Sequence, residues 1–414
     1  MTAPPKTILH LSAVDYGGAG KFALDLHRLL AQQGHRSYFV VKDAKSGQPD
    51  VIPYPDARLE QPLAKLARNL QKRVWTPELF HYDYYFYNRY ERYSVVSARK
   101  ILGLIPAHPD AIFIHWTTDF INTRLIRELQ ELTGARIYWL VIDNAPLTGG
   151  CHYPWDCQGY QRDCRPCPAI RSERYQHIAA DNLAFKKKYL PADTQLVTFS
   201  QQDYERAGRS ALFGGLPIRK LLGLVDETVF MPGDKLSARA HFDLPADQPV
   251  IFFGASALQE RRKGMSLLLE ALEQLGRPDV FLLVAGQQTP LLEKLPVRHA
   301  GYLSEPELVL AYQAADVFAC PSLEDSGPMM INQAMMCGTP VVAFDTGVAR
   351  DLVVTGQTGY RATPSDATDF ARGLRQLLEL NEAQRGALTV RCRELATRLC
   401  SRPALTTALQ QLLS

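Results

Sequence analysis

Short apolar runs alternate with longer segments of helical period along the chain. Thr7-Ile8-Leu9-His10-Leu11 reads as a buried strand and Asp15-Tyr16-Gly17-Gly18-Ala19-Gly20 as a glycine-rich turn. Phe22, Leu26, Leu29 and Leu30 then recur at helical spacing as far as Gly34, a stop signal. Ser37–Lys42 supplies the next strand through Tyr38-Phe39-Val40-Val41. A strand–helix–strand opening predicts a parallel sheet covered by helices. Ala111–Trp116, Ile137–Val141 and Leu196–Ser200 continue the strands, separated by helix-period segments such as Thr123–Leu132. After about residue 216 the alternation restarts. Val250–Gly254, Val280–Gly286, Val317–Cys320 and Pro340–Phe344 read as buried strands, and Leu267, Leu268 and Leu272 share one face of a helix over Met265–Leu275. The pattern predicts an α/β chain of two Rossmann-like, doubly wound domains in tandem, 1–215 and 216–414, meeting at a cleft. The terminal helix is a candidate to cross back. Ligands of such sheets sit at the carboxyl ends of the strands.

One region departs from this alternation. Leu63, Leu66, Ala67, Leu70 and Val74 form an apolar stripe with Lys65, Arg68, Lys72 and Arg73 on other faces, followed by eight aromatics between Phe80 and Tyr93. The pattern fits a helix lying on an anionic membrane surface and equally a helix packed on its own domain with a solvated basic face. Composition narrows the rest. With 46% hydrophobic and 21% charged residues among 414, wholesale disorder is excluded. A net charge of +3 is too mild to argue for nucleic acid, which is not expected as a partner. No apolar run approaches the ~18 residues of a membrane span. Met1–Lys6 lacks the features of a signal peptide. The expectation is a cytoplasmic protein, either soluble or peripheral on the inner face of the inner membrane.

The most informative stretch runs from Pro321 to Pro340. A polar loop carrying Glu324, Asp325, Ser326 and Gly327 follows a strand and precedes an apolar helix through Met329, Met330 and Gln333, which stops at Gly338. A helix N-terminus offers free N–H groups and the positive end of the helix dipole, a seat for a diphosphate. This stretch resembles the donor-sugar motif of retaining GT-B glycosyltransferases of glycosyltransferase family 4. In that family two acids stand eight positions apart before an Ala-Met/Leu-x-Cys-Gly-Thr-Pro run. Aligned on Ala334–Pro340, the first acid falls on Asp325 and the second on Gln333. The resemblance implies that Asp325 meets the hydroxyls of the transferred sugar and that Gln333, a neutral amide here, meets the nucleotide ribose. A second register, Glu324 to Asn332, fits the downstream residues less well.

Other segments resemble the family in the same order. Gly17 and Gly18 match its N-terminal glycine loop, which allows close approach of donor phosphate or acceptor. Arg261-Arg262-Lys263-Gly264 matches the basic site that neutralises the leaving diphosphate, although Ala255 stands where an arginine usually follows the strand-end glycine. Arg261 or Arg262 then has to reach in. Trp139–Tyr153 is similar to a run in a polysaccharide-building branch, with Ile142 in place of the usual histidine before Asp143. Asp143 or His152 must cover that position. Asp143 reads either as a substrate contact or as a turn cap.

Cys151, Cys157, Cys164 and Cys167 crowd the following loop. Four thiolates with a Cys-x2-Cys half-site suit a structural zinc, with His152 a substitute ligand. An iron–sulfur cluster, two disulfides or free thiols are the alternatives. Cys320, Cys337, Cys392 and Cys400 read as small buried hydrophobes.

The resemblance implies a retaining hexosyl- or deoxyhexosyltransferase needing no catalytic cofactor. It would take a UDP- or GDP-sugar through Arg262, Lys263, Ser326, Gly327, Met329, Met330 and Gln333. The acceptor would be a glycan or a polyprenyl-diphosphate-linked sugar in exopolysaccharide, capsule or O-antigen assembly. Ile142 and Gln333 favour an alternative, a sugar-nucleotide-binding scaffold that has lost the chemistry. A dinucleotide oxidoreductase is disfavoured, because Gly17-Gly18-Ala19-Gly20 is not G-x-G-x-x-G.

Overall fold

The structure is a computed structural model that describes residues 4–55, 78–87, 91–92, 94, 96–255, 257–292, 295–327 and 329–414. The basic amphipathic stripe from Leu63 to Val74 lies outside the described residues. The chain divides into two compact units. One comprises Met1–Phe199, Asp203–Leu221 and Leu413–Ser414, and the other Ser200–Gln202 and Leu222–Leu412.

The first unit is built on a seven-stranded sheet of β1 (Thr7–Val14), β2 (Arg36–Asp43), β3 (Val51–Pro53), β4 (Ala111–Ile114), β5 (Arg136–Val141), β6 (Gln195–Thr198) and β7 (Ile218–Lys220). Their order is β3-β2-β1-β4-β5-β6-β7, and every pairing is parallel. The second unit holds β8 (Val250–Gly254), β9 (Phe281–Ala285), β10 (Val297–Gly301), β11 (Val317–Cys320), β12 (Val341–Phe344) and β13 (Gly359–Ala362). The order is β10-β9-β8-β11-β12-β13, again all parallel. Two Rossmann-like sheets therefore stand where the hydrophobic pattern predicts them.

The strands that the pattern does not announce are β3, β7, β10 and β13, and each is the edge of its sheet. An edge strand is covered less completely, so it carries no continuous apolar run; β10 has no buried residue and β7 is mostly exposed. The central strands β1, β4, β11 and β12 are buried at every position, which is why they read clearly as sequence.

Helices cover both sheets. The helix Gly17–Gln32 buries Ala23, Leu24, Leu26, Leu29 and Leu30. Its tight junction with β1 needs Gly20, where an added Cβ would lie 2.5 Å from the Asp15 carbonyl carbon. In the second unit, Ile331, Ala334 and Met335 of the helix Met329–Met336 share a core with Cys392, Ala396 and Cys400 of the helix Glu382–Cys400. Cys320 and Cys337 are buried too, as expected of small hydrophobes. At the end of the chain, the Lys6 ammonium donates to the Leu413 carbonyl. Among the described residues no helix is long and apolar enough to cross a membrane.

In each sheet the strand order reverses beside the first strand, between β1 and β4 and between β8 and β11. The loops leaving the carboxyl ends of such neighbouring strands diverge and leave a crevice for a ligand.

Candidate functional site

In the second unit those diverging loops are the two that carry the sequence motifs. The loop after β8 ends in a short 3-10 turn, Arg261–Lys263. Gly264 follows at φ +69°, and a Cβ there would lie 1.8 Å from the Pro321 carbonyl oxygen. Only glycine lets the basic turn approach the loop after β11 this closely. The Leu323 N–H donates to the Arg262 carbonyl at 2.8 Å and ties the two loops together.

Lys263 Nζ then stands 2.6 Å from Asp325 Oδ2, and Arg262 Nη1 stands 3.3 Å from the same oxygen. Arg262 also pairs with Glu260 at 2.7 Å. Arg261 is exposed, so of the two arginines it is Arg262 that reaches in. Burial by itself would raise the Asp325 pKa, but the Lys263 and Arg262 charges outweigh it and hold the carboxyl below its ordinary value. The Gly327 N–H donates to Asp325 Oδ1 at 3.4 Å, and Ser326 is buried beside it. Met329 and Met330 are half-buried in the first turn of the following helix. Gly254 gives Met330 its place: a Cβ on that strand-end glycine would meet Met330 Cε at 2.6 Å.

Gln333 lies one helical turn further on. The Tyr312 hydroxyl, fully buried, donates to Gln333 Oε1 at 3.1 Å. That bond occupies the amide oxygen and leaves the NH2 group as the donor. A pocket of ≈ 290 Å³ opens beside the cluster, lined by Leu258, Gln259, Glu260, Gln287, Gln288 and Thr289. Glu260 is shared between this pocket and the Arg262–Asp325 pairs. The sequence reading missed the pocket, because Gln287 and Gln288 read as ordinary loop residues after β9.

In the first unit, Gly17 has φ +66°, and nothing lies within 4 Å of a Cβ built on Gly17 or Gly18. Asp15, one step before it, is committed to structure, since it accepts the N–H groups of Lys45 and Ser46 and the Ser46 hydroxyl.

Asp143 follows β5 and engages both carboxylate oxygens. Oδ1 accepts the Ala145 N–H at 2.8 Å, and Oδ2 lies 2.7 Å from His152 Nδ1. It caps a turn and also orients a histidine. The His152 Nε2 is then directed at the Thr118 hydroxyl, 3.4 Å away, in the loop after β4. The two residues that were to stand in for the histidine absent at Ile142 thus form one buried pair.

The loop between them is over-determined. Lys186 is buried and its ammonium donates to the Ala145 and Thr148 carbonyls at 2.7 and 3.0 Å, with Glu91 at 3.8 Å. Asn182 donates to the Gly149 carbonyl at 2.9 Å. Lys186 was not legible as a loop anchor, since Lys186-Lys187-Lys188 reads as a solvated basic run. Cys151, Cys164 and Cys167 are buried and Cys157 is half-buried. All four line one small apolar pocket.

Residues 234–389 match the family model described as "Glycosyl transferases group 1". Over 81% of its length the chain is 23% identical to the "Putative colanic acid biosynthesis glycosyl transferase WcaC" of Escherichia coli, covering 82% of that protein. It is 32% identical over 52% of its length to the D-inositol 3-phosphate glycosyltransferase of Mycobacteroides abscessus, covering 48% of that protein. Among solved structures, the sucrose-phosphate synthase of Thermosynechococcus elongatus superposes with a TM-score of 0.69 at 19% identity, over 98% of each chain. Anabaena HepE, solved in complex with UDP-glucose, gives a TM-score of 0.64 at 16% identity over 99% of each chain. WaaG, described as a glycosyltransferase involved in lipopolysaccharide biosynthesis, gives 0.63 at 15% identity over 98% of this chain and 99% of its own. The fold is therefore GT-B, two Rossmann-like α/β domains in one chain, and the second carries the group 1 glycosyl transferase match.

Proposed function

We propose that this protein is a retaining glycosyltransferase that moves a hexose or deoxyhexose from a nucleotide sugar to a glycan or lipid-linked acceptor in surface polysaccharide assembly. The observation that carries the reading is the Lys263–Asp325–Arg262 cluster at the strand-order reversal of the second sheet. Two cations beside a diphosphate stabilise the charge that grows on its oxygen as the glycosidic bond breaks. Lys263 and Arg262 take that role. Asp325, held ionised by them, accepts hydrogen bonds from the hydroxyls of the sugar being transferred. The N–H groups at the start of the helix Met329–Met336, beside Ser326 and Gly327, add partial positive charge. The Gln333 amide hydrogen-bonds a ribose hydroxyl, and the pocket lined by Gln259, Gln287 and Gln288 takes the base.

In the first unit, Gly17 and Gly18 leave room for the acceptor. Asp143 acts as a positioning residue for His152. Transfer occurs on the front face, with the leaving phosphate oxygen receiving the proton of the acceptor hydroxyl. The WcaC and WaaG descriptions support assembly of a surface polysaccharide, and the HepE complex supports a UDP-sugar. Gln333 in place of an acid supports the second reading, a sugar-nucleotide-binding scaffold.

A panel of UDP-, GDP- and ADP-sugars separates the two readings. Thermal shift identifies the donor by its stabilisation of the folded chain. Release of the nucleoside diphosphate, dependent on a polyprenyl-diphosphate-linked glycan, then reports transfer. Binding without release under all acceptors tested favours the scaffold.

A further inference from the structure

The four cysteines of the first unit lie within seventeen positions of the sequence and line one pocket in space. Cys151, Cys157, Cys164 and Cys167 all border one small pocket whose other walls are mostly apolar, among them Tyr84, Phe86 and Tyr160. The free space inside is ≈ 10 Å³, room for about one water-sized occupant and too little for an iron–sulfur cluster.

The surroundings of the sulfurs are those of acceptors. The Gly159 N–H donates to Cys157 Sγ at 3.4 Å. The Gly149 N–H faces the Cys164 sulfur, and the Ala169 and Ile170 N–H groups face that of Cys167. Backbone donors aimed at sulfur favour the thiolate. A divalent cation suits four sulfurs gathered at one apolar pocket, because its charge replaces the lost hydration of several thiolates at once.

The backbone is already fixed around the pocket. Gln176 accepts the Cys167 N–H at 2.7 Å and donates to the Cys167 carbonyl at 3.0 Å. The Cys164 N–H donates to the Gly159 carbonyl at 2.8 Å. Gly149 packs so tightly that a Cβ would lie 2.1 Å from the Ala179 carbonyl oxygen. The side chains as they stand are not a closed ligand set: among the described residues no group of three or more His, Cys, Asp or Glu is placed to hold a metal ion. Ligation requires the side chains to rearrange from these positions.

We propose that Cys151, Cys157, Cys164 and Cys167 form a structural zinc site in this pocket. Each thiol gives its proton to solvent as its bond to zinc forms, and no electron is transferred. The site fixes the start of the loop at Cys151, next to His152 and its Asp143 partner. It is independent of the transfer reaction proposed above.

The test uses the full chain, purified under reducing conditions after expression with added zinc. Elemental analysis is expected to find about one zinc per chain. Replacement by Co(II) should give sulfur-to-metal charge-transfer bands and the visible absorption of a tetrahedral ion. Cys157→Ser, at the least buried of the four positions, should leave the chain folded and remove roughly a quarter of the charge-transfer intensity. A chelator should lower the melting temperature of the unsubstituted chain. The proposal is overturned by a folded chain that binds neither ion and whose four thiols alkylate freely. Two disulfides in that segment, or a Co(II) spectrum indifferent to Cys157→Ser, overturn it equally.

Discussion

Lys263 Nζ and Asp325 Oδ2 are 2.6 Å apart, and the pair joins the loops that leave the carboxyl ends of β8 and β11. The two side chains are 62 positions apart in sequence. They meet because β8 and β11 are neighbours in the sheet and because Gly264 removes the atom that would hold the basic turn away from Pro321.

Lys263→Ala is expected to lower transfer at saturating acceptor by at least ~100-fold, the scale of losing one electrostatic contact to the transition state. Steady-state release of nucleoside diphosphate measures it, with a melting curve confirming that the variant is folded. Unchanged turnover removes Lys263 from the diphosphate site.

Asp325→Asn keeps the shape of the side chain and removes its charge. If the carboxylate serves the transferred sugar, kcat should fall ~10- to 100-fold while affinity for the free nucleoside diphosphate changes little or tightens, because the two cations are released to it. Isothermal titration with UDP or GDP beside kinetics makes the comparison. Equal loss of free-nucleotide affinity assigns Asp325 to the nucleotide end instead.

Gln333→Glu restores an acid at the ribose position and keeps an acceptor for the Tyr312 hydroxyl. Charge-assisted hydrogen bonds are about twice as strong as neutral ones, so nucleotide affinity should rise ~5-fold. Weaker binding would show that the amide NH2, as a donor, is what the ligand requires.

Inside the first unit His10 Nδ1 lies 2.9 Å from His115 Nε2, with His27 5.7 Å from His10 ring to ring and Asp50 3.8 Å beyond His27. Burial pushes His115 down to about 3; burial, then the His115 and His27 charges, holds His10 well below its ordinary value. Folded-state values below the unfolded ~6.5 mean that stability is complete above pH 6.5 and lost as pH falls from there toward 3. The slope for His115 alone is about 1.4 kcal/mol per pH unit. The melting temperature should fall steadily from pH 7 to pH 5, and His115→Gln should flatten that fall. A melting temperature constant over this range contradicts the neutral pair.

Much of the Lys263–Asp325–Arg262 cluster was legible, because its residues lie in two short runs, Arg261–Gly264 and Leu323–Gln333, each placed past an apolar strand. The order of events along the chain was enough to put both at carboxyl strand ends. The choice between Arg261 and Arg262 was not legible, since neighbours in a turn point in different directions and only packing selects the one that faces Asp325.

The sequence by itself determined the α/β class, the two sheets and the central strands, because a strand buried on both faces must be apolar at nearly every position. Tertiary structure decided whatever depends on meeting across long separations. It placed the edge strands β3, β7, β10 and β13, which have too little burial to mark them in composition. It also made Asp143 the partner of His152, made Lys186 a buried anchor, and set the four cysteines, already clustered in sequence, around one pocket. Hydrophobic periodicity reports which face of an element is covered; the hydrogen-bond partners of a polar side chain are set by the neighbouring elements.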